Sequence, residues 1–218
     1  MKTDAAKLIL DSLFPKNVSC VSCGREAVTD KDGFCEDCRA GLELFNAAEP
    51  PKHTDGYVSA YVYNDVSSRM IKRLKYSGAR YLAEPLADAI KIPSEWRFDA
   101  VIPVPLYYRR ENKRGYNQSE LIAKRLCVRI GAVLDKDLLI RTRDTGQQTR
   151  LTEAGRKRNV KGAFAADESV KGKSFLIIDD VRTTGATLSE CAAELKRFGA
   201  ERVYTATVCC AVENGDRI

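Results

Sequence analysis

An apolar segment that runs into two carboxylates and a threonine-rich turn constrains the fold of this chain more than any other feature. Residues 175–187 read FLIIDDVRTTGAT. The apolar run Phe175–Asp179 predicts a buried strand, and a helix is predicted to begin near Ala186. Fully buried strands are typical of parallel sheets with both faces covered, and ligands of such sheets bind at the carboxyl ends of the strands.

The rest of the chain alternates between strand and helix patterns, which predicts an α/β fold with a mostly parallel sheet and helices on both faces. Strands are predicted at Tyr57–Tyr63, Ala100–Val104, Leu138–Arg141, Ala163–Ala165 and Val203–Cys209. Helices are predicted at Val66–Lys75, Tyr81–Ile90, Ser119–Ile130 and along the face formed by Leu188, Ala192, Leu195 and Phe198. A short helical pattern over residues 1–18 stops at Pro15.

Composition excludes a disordered chain and a transmembrane protein. Of the 218 residues, 44% are hydrophobic and 30% are charged. The longest stretch without a charged residue is ten residues, Val203–Val212, whereas a membrane-spanning helix needs about 20 apolar residues. The apolar run Leu8–Leu10 is too short for a signal peptide, so a cytoplasmic location is expected.

Four of the eight cysteines lie close together, in two CxxC pairs: Cys20 and Cys23, then Cys35 and Cys38. Two such pairs supply the four thiolates that a tetrahedral structural zinc site prefers. Two disulfides or four unliganded thiols are the alternatives, and the missing secretory signal argues against disulfides. Because a closed four-cysteine site has no open coordination position, its role is expected to be structural. The other four cysteines are expected in the core.

The turn after the buried strand has the groups needed to bind a phosphorylated sugar. Backbone N–H groups in a tight turn before a helix form a cradle for a phosphate, and Gly185 permits close approach. Thr183, Thr184 and Thr187 add hydroxyl groups. Asp179 and Asp180 precede the cradle, where they can accept hydrogen bonds from sugar hydroxyls. The alternative is an ordinary strand–turn–helix with polar capping residues.

This segment resembles the signature of type I phosphoribosyltransferases, which bind 5-phosphoribosyl-1-pyrophosphate. The resemblance extends further, because the segments VPVP, RGYNQ, RTRDTGQQTRLT and DDVRTTGAT, with Arg156-x-x-Asn159-Val160-x-Gly162-Ala163-Phe164, look like the ComF family of competence proteins. That family also carries an N-terminal four-cysteine module. Purine-salvage members often have an acid where this chain has Thr183, which argues against purine salvage.

The resemblance implies roles for specific residues, with Mg2+ as a cofactor bound together with the ligand. The acidic pair would contact the ribose hydroxyls and the following turn would hold the 5′-phosphate. The implied ligand-binding residues are Asp179, Asp180, Val181, Arg182, Thr183, Thr184, Gly185, Ala186, Thr187, Pro105, Leu106, Arg114, Asn117 and Gln118. Candidates for the pyrophosphate side are Arg109, Arg110, Lys113 and Arg114, and those for a mobile basic lid over 141–164 are Arg143, Arg150 and Arg156.

The basic residues are concentrated in two segments, which is typical of a polyanion-binding surface. Residues 106–125 carry six basic and two acidic side chains, and residues 141–161 carry seven and two, against a net charge of +6 for the whole chain. Either a phosphorylated ligand or a nucleic-acid backbone fits this charge, and solvated loops are the alternative. Tyr107, Tyr108 and Tyr116 lie among these cations and can either stack on bases or pack on the sheet.

The sequence divides near Glu49-Pro50-Pro51 into a helix and zinc module (residues 1–48) and a phosphoribosyltransferase-like domain (residues 49–218). Three functional hypotheses follow. The first is a phosphoribosyltransferase with an unknown acceptor that serves DNA uptake in competence. The second is a non-catalytic protein that binds single-stranded DNA, with other competence proteins as partners at the membrane uptake machinery. The third is a regulator that senses phosphoribosyl pyrophosphate.

Overall fold

The computed structural model describes residues 19–145 and 153–212. The helix expected over residues 1–18 therefore lies outside the described residues. The strands are β1 (Gly56–Val62), β2 (Ala100–Pro103), β3 (Leu139–Arg141), β4 (Phe164–Ala166), β5 (Ser174–Arg182) and β6 (Arg202–Cys210). The α-helices are α1 (Glu36–Ala40), α2 (Asp65–Tyr76), α3 (Ala83–Ala89), α4 (Tyr108–Arg114), α5 (Gln118–Ile130), α6 (Glu153–Val160) and α7 (Ala186–Arg197).

Four parallel strands form the central sheet in the order β1-β6-β5-β2. The apolar strand β5 is central, and its partners are nine-residue β6 and four-residue β2. Because β2 ends at Pro103, opposite Ile178, the last residues of β5 extend beyond their neighbour on that side. A separate antiparallel pair, β3 and β4, lies outside this sheet.

Alternate residues of β5 enter two different cores, as expected for a strand buried on both faces. Leu176 and Ile178 pack with α2, α3 and α5, whereas Phe175 and Ile177 pack with α7 and the β3–β4 pair. Helices therefore cover both faces of a mostly parallel sheet, and the predicted α/β fold class is confirmed.

Local signals explain where the main helices begin and end. Asn64 caps α2, because its side chain accepts from the N–H groups of Val66 and Ser67 while the Ser67 hydroxyl accepts from the N–H of Asn64. Helix α5 begins at the cap residue Asn117 and ends at Gly131. Within the described residues, the predicted strands and helices are present, with boundaries moved by at most three residues.

Three sequence-based predictions need correction. The basic segment after β2 is not only a loop, because residues 108–114 form α4. The segment 141–164, interpreted as a mobile loop, contains α6, and residues 146–152 lie outside the described residues. Strand β5 continues to Arg182, so the acidic pair lies within the strand, and the turn is limited to 183–185.

The four-cysteine module packs directly on the domain that follows it. Cys20, Phe34 and Cys38 belong to the same buried cluster as α2, and the Phe34 ring meets the Tyr61 ring of β1 edge-on, with centroids 6.3 Å apart. Chain residues 43–45 run antiparallel to β1 and hydrogen-bond to it. The module and the sheet therefore share one core.

Candidate functional site

Asp179 and Asp180 lie at the carboxyl end of β5 and are almost completely buried, with exposed fractions of 9% and 3%. Strand β2 ends at Pro103, before it reaches the acidic pair. The N-terminus of α5 therefore lies beside the two carboxylates, where β2 would otherwise continue. The sequence placed both carboxylates at the end of the strand next to the turn, whereas in the structure they lie three and two residues before the last residue of β5.

Each carboxylate has its own protein partners. The Asp179 Oδ1 accepts from the Ser119 hydroxyl and from the Asp180 N–H, both at 2.9 Å. The Asp180 Oδ1 accepts from the Gln118 amide at 3.0 Å, and its other oxygen forms an ion pair with the Lys75 ammonium. The pair is thus oriented by α5 on one side and by α2 on the other.

The two carboxyls are driven in opposite directions by their surroundings. Burial, together with the neighbouring Asp180 charge, raises the pKa of Asp179 to about 7. Burial also acts to raise the pKa of Asp180, but the Lys75 ammonium and the Gln118 amide outweigh it, so this pKa is lowered. Burial disfavours the Lys75 ammonium, yet the Asp180 charge outweighs burial and raises the pKa of Lys75.

The turn after β5 leads directly into α7. Gly185 adopts a left-handed conformation, with φ of 75°, immediately before the first helical residue, Ala186. The N–H groups of the first helical turn have no intrahelical acceptors and carry the positive end of the helix dipole. Thr184 partly fills this role, since its Oγ1 lies 3.4 Å from the Ala186 nitrogen as an acceptor. The Gly185 turn and the N–H groups at the start of α7 can therefore bind an anion.

Arg182 faces the linker segment Glu49-Pro50-Pro51. Its guanidinium donates to the Glu49 carbonyl at 2.7 Å and lies 4.4 Å above the Tyr57 ring. Pro51 packs on the same turn, 3.6 Å from the position that a Cβ of Gly185 would take. The Arg182 side chain therefore holds the linker against the turn. The main chain of Arg182 ends β5 and leads into the turn.

The predicted residues after β2 are brought to the same end of the sheet, and two of them serve as scaffold. The buried Asn117 caps α5 by accepting from the Ser119 N–H, and it donates to the Val104 carbonyl, each at 3.0 Å. Arg114 donates to Gln118, which in turn reaches Asp180. Pro105 and Leu106 form the half-buried connection to α4.

The basic candidates have different surroundings. Arg109 on α4 is exposed beside the Tyr108 hydroxyl, and Arg110 forms an ion pair with Asp144. Arg143 donates to the carbonyls of Asn159 and Lys161, which ties it to the end of α6. Position 150 and the side chain at position 156 lie outside the described residues. Tyr116 is buried with its hydroxyl on the Leu74 carbonyl, so its ring packs rather than stacks on a ligand.

Lys75 and Ser119 were not predicted as site residues. Lys75 lies four residues after Ile71, on the helix stripe that also contains the buried Leu74. A lysine on the apolar stripe of an amphipathic helix is a signal that sequence reasoning can use, because a buried lysine requires a partner. Ser119 carries no comparable signal.

The four cysteines of the N-terminal module converge as predicted. Their Sγ atoms all lie within 4.8 Å of one another, and the Cys23 and Cys35 sulfurs are 3.9 Å apart. Tetrahedral coordination with metal–sulfur bonds of about 2.3 Å requires sulfurs about 3.8 Å apart. All four are unpaired thiols rather than disulfides, so the cluster could hold a metal ion.

No helix within residues 19–145 or 153–212 combines the length and apolarity needed to cross a bilayer.

Comparison with known proteins gives the same picture of the fold. The family model "Phosphoribosyl transferase domain" matches residues 77–217. The chain is 32% identical over 208 residues to the DNA utilization protein YhgH of Escherichia coli O6:H1, covering 87% of this chain and 89% of that protein. It is 27% identical over 221 residues to competence protein F of Haemophilus influenzae, covering 86% and 94%.

Among solved structures, the chain resembles glutamine phosphoribosylpyrophosphate amidotransferase from Bacillus subtilis, with a TM-score of 0.40 and 20% identity. The match covers 64% of this chain and 27% of that one, and a TM-score this low carries no argument about function. The family model matches more than half of this chain, and the relatives align over most of both chains. With its parallel sheet and its N-terminal cysteine cluster, the chain belongs to the ComF family of phosphoribosyltransferase-like proteins.

Proposed function

We propose that the protein binds 5-phosphoribosyl-1-pyrophosphate together with Mg2+ and serves DNA uptake in natural competence. The observation that carries the proposal is the arrangement of β5, in which two buried carboxylates lead into a Gly185 turn and the N-terminus of α7. A 5-phosphorylated ribose has the matching chemistry, because it presents two hydroxyls next to a phosphate dianion.

The residue roles follow the polarity of the site. The turn 183–185 and the first residues of α7, Ala186 and Thr187, would bind the 5′-phosphate through their backbone N–H groups. Asp179 and Asp180 would accept from the ribose hydroxyls. Pro105, Leu106 and Arg114, which follow β2, would lie on the pyrophosphate side. Val181, Arg182, Asn117 and Gln118 would act by holding these groups in place.

The site fits Mg2+ held mainly by the ligand. Both oxygens of Asp180 and one oxygen of Asp179 already have protein partners, so the acidic pair offers the ion few open coordination positions. Mg2+ keeps several waters and takes substrate phosphates as ligands, which agrees with this arrangement. When bound, the ion would supply charge neutralisation between ribose and pyrophosphate oxygens.

A transfer reaction would use the basic side chains around the site. As the bond between the ribose C1′ and the pyrophosphate oxygen breaks, negative charge develops on the pyrophosphate while an acceptor nucleophile forms the new bond at C1′. Arg109, Arg110, Lys113 and Arg114, all on α4, are the candidates to stabilise that charge, and Arg143 and Arg156 are candidates for closing over the site.

For the N-terminal module we propose structural Zn2+, bound by Cys20, Cys23, Cys35 and Cys38. The sulfur spacing and the all-cysteine donor set support this ion. We also propose that residues 1–48 and 49–218 are the two modules of the chain and that it works in the cytoplasm, peripheral to the uptake machinery. The names of the relatives from Escherichia coli and Haemophilus influenzae support a role in DNA use.

A second candidate function is binding of single-stranded DNA without catalysis, with other competence proteins as partners. The observation that favours it is α4, where the Arg109 guanidinium lies 5.8 Å from the centre of the exposed Tyr108 ring and Lys113 is exposed on the same helix. Cations next to an aromatic ring fit a phosphate backbone and a stacked base.

Calorimetry with 5-phosphoribosyl-1-pyrophosphate and Mg2+ tests the proposal. We expect binding by the wild-type protein and a loss of at least about tenfold in affinity for Asp179→Asn/Asp180→Asn, because the hydroxyl acceptors lose their charge. The exposed Asp88→Asn variant is the matched control and should bind like the wild type.

Absence of heat with folded wild-type protein would exclude the ligand site. In that case, an affinity for single-stranded DNA that falls steeply with salt would favour the second candidate. If the ligand binds, measuring pyrophosphate release with candidate acceptors then separates an enzyme from a binding protein.

A further inference from the structure

A buried ion pair links helix α2 to the acidic pair. The Lys75 ammonium, in the last turn of α2, contacts the Asp180 Oδ2. The other oxygen of Asp180 accepts from Gln118, so both oxygens of this carboxylate have protein partners. The Asp180 side chain is 4% exposed and that of Lys75 is 22% exposed, so water screens this pair weakly.

Helix α2 is fixed in the position that delivers Lys75. Its first turn is closed by the Asn64 capping box, and its later residues are tied to the cysteine module. There the Arg73 guanidinium donates to the carbonyls of Cys20 and Val21, at 2.9 and 2.8 Å. Because α2 is fixed at both ends, it holds Lys75 next to Asp180.

The charge of this lysine matters for a ligand that is itself strongly anionic. Asp180 would repel the phosphates of a phosphorylated sugar, and Lys75 cancels that charge within the protein. Because the Lys75 ammonium offsets the Asp180 carboxylate, this ion pair itself contributes little net charge before a ligand arrives. In a site without such a lysine, a divalent cation has to neutralise the carboxylates as well as the ligand.

We propose that Lys75 is a positioning residue that acts as the built-in cation of the acidic pair. It fixes Asp180 as a hydrogen-bond acceptor and lowers the Mg2+ concentration that ligand binding requires. This inference rests on the proposed function, since it concerns the same site and the same ligand. Through Lys75, helix α2 would contribute to ligand binding, although it lies outside the strand and turn motifs that predict the site.

The test is the Mg2+ dependence of the affinity for 5-phosphoribosyl-1-pyrophosphate, measured for the wild type, Lys75→Met and Lys72→Met. Lys72 is an exposed lysine on the same helix and is the matched control. We expect Lys75→Met to lose on the order of tenfold in affinity at low Mg2+, with the loss shrinking as Mg2+ increases. Lys72→Met should follow the wild type throughout.

Three results would overturn the inference. The first is a Lys75→Met curve that coincides with the wild-type curve. The second is an affinity loss that is the same at every Mg2+ concentration, because it would indicate a structural role only. The third is tighter binding by Lys75→Met, because it would mean that the lysine competes with the ligand for Asp180. If the wild-type protein itself does not bind, the proposed function fails instead.

Folding of the variants provides a second, independent measurement. Removing one partner of a buried ion pair leaves an uncompensated charge, whereas removing both does not. If Lys75→Met is unfolded, we expect Lys75→Met/Asp180→Asn to be folded, which would support the role of Lys75 as the counter-charge of Asp180. An unfolded double variant would assign Lys75 to packing and overturn the inference.

Discussion

Asp179 and Asp180 are adjacent aspartates, yet their surroundings shift their pKa values in opposite directions. Asp180 is kept ionised by Lys75, whereas Asp179 meets only the Ser119 hydroxyl and the Asp180 N–H as direct donors among the described residues. Asp179 also interacts electrostatically with the Arg141 guanidinium. One carboxylate is thus a permanent anion, and the other can gain a proton near neutral pH.

The raised pKa of Asp179, about 7, predicts a pH-dependent stability. Between about pH 4 and 7 the folded state holds a proton that the unfolded state has released, so stability is lost as the pH rises through this range. The free energy of unfolding of the wild type should fall by up to about 1.4 kcal/mol per pH unit relative to Asp179→Asn. Denaturant unfolding at pH 5, 6, 7 and 8 measures this difference.

The control for this measurement is Asp88→Asn, which should run parallel to the wild type because Asp88 is exposed. Parallel curves for Asp179→Asn and the wild type would show that Asp179 ionises at its ordinary pKa. The sequence predicted the position of this carboxyl but not its titration, because burial and the neighbouring charges arise only when α5 and α2 are packed against β5.

At the scale of elements, the turn between β5 and α7 depends on one backbone conformation. Gly185 has φ of 75°, and a Cβ there would lie 3.3 Å from the Arg182 Nε and 3.6 Å from Pro51. The conformation and the crowding both disfavour any other residue. Gly185 is therefore the residue at which the turn, the linker residue Pro51 and the start of α7 meet.

Gly185→Ala should lower the free energy of unfolding by about 1–2 kcal/mol, because the left-handed conformation is costly for residues with a Cβ. It should also weaken ligand binding, since the N–H groups that hold the phosphate would shift. Thermal unfolding and calorimetry measure the two effects. Gly131→Ala is the matched control, because Gly131 has φ of 69° and ends α5 away from the turn, and no described atom lies within 4 Å of where its Cβ would be.

Gly131→Ala should cost similar stability and leave ligand affinity unchanged. Equal affinities for the two glycine variants would contradict the assignment of the turn to phosphate binding. The contrast matters because both substitutions place a Cβ on a residue in the left-handed conformation, and only Gly185→Ala does so at the candidate site.

Elements were predictable from the sequence where apolar periodicity was strong. Strand β5 and helices α2 and α5 have buried stripes that the residue pattern shows directly. Helix α4 was interpreted as a loop because none of its seven residues is buried, so no stripe marks it. Helix α6 is similarly polar, and its formation depends on contacts with α7 that lie far away in the sequence.

At the scale of the whole molecule, the cysteine module is expected to depend on a bound metal. Purified protein should contain one metal ion per chain, and Cys20→Ser should contain none. Losing the ion should lower the free energy of unfolding by about 3 kcal/mol or more when free metal exceeds its Kd a hundredfold. Elemental analysis and unfolding with and without a chelator provide the two measurements.

Cys127→Ser is the control, because Cys127 is a buried cysteine of α5 outside the cluster. It should keep its metal. Retention of the ion by Cys20→Ser, or its absence from freshly purified wild-type protein, would contradict the assignment. The spacing of the two CxxC pairs was enough to predict this cluster, whereas its packing against α2 and β1 was not visible in the sequence.

Arg73 of α2 ties the cysteine module to the rest of the protein, so the module cannot be removed without loss of contacts. Its guanidinium donates hydrogen bonds to carbonyls of the cysteine module, and two residues later Lys75 reaches the acidic pair. A fragment that began after the linker would remove these acceptors from the guanidinium and expose the face of Tyr61 that Phe34 covers. A cysteine module transplanted onto another chain would therefore need a helix that offers a donor at the position of Arg73, and an aromatic ring at the position of Tyr61.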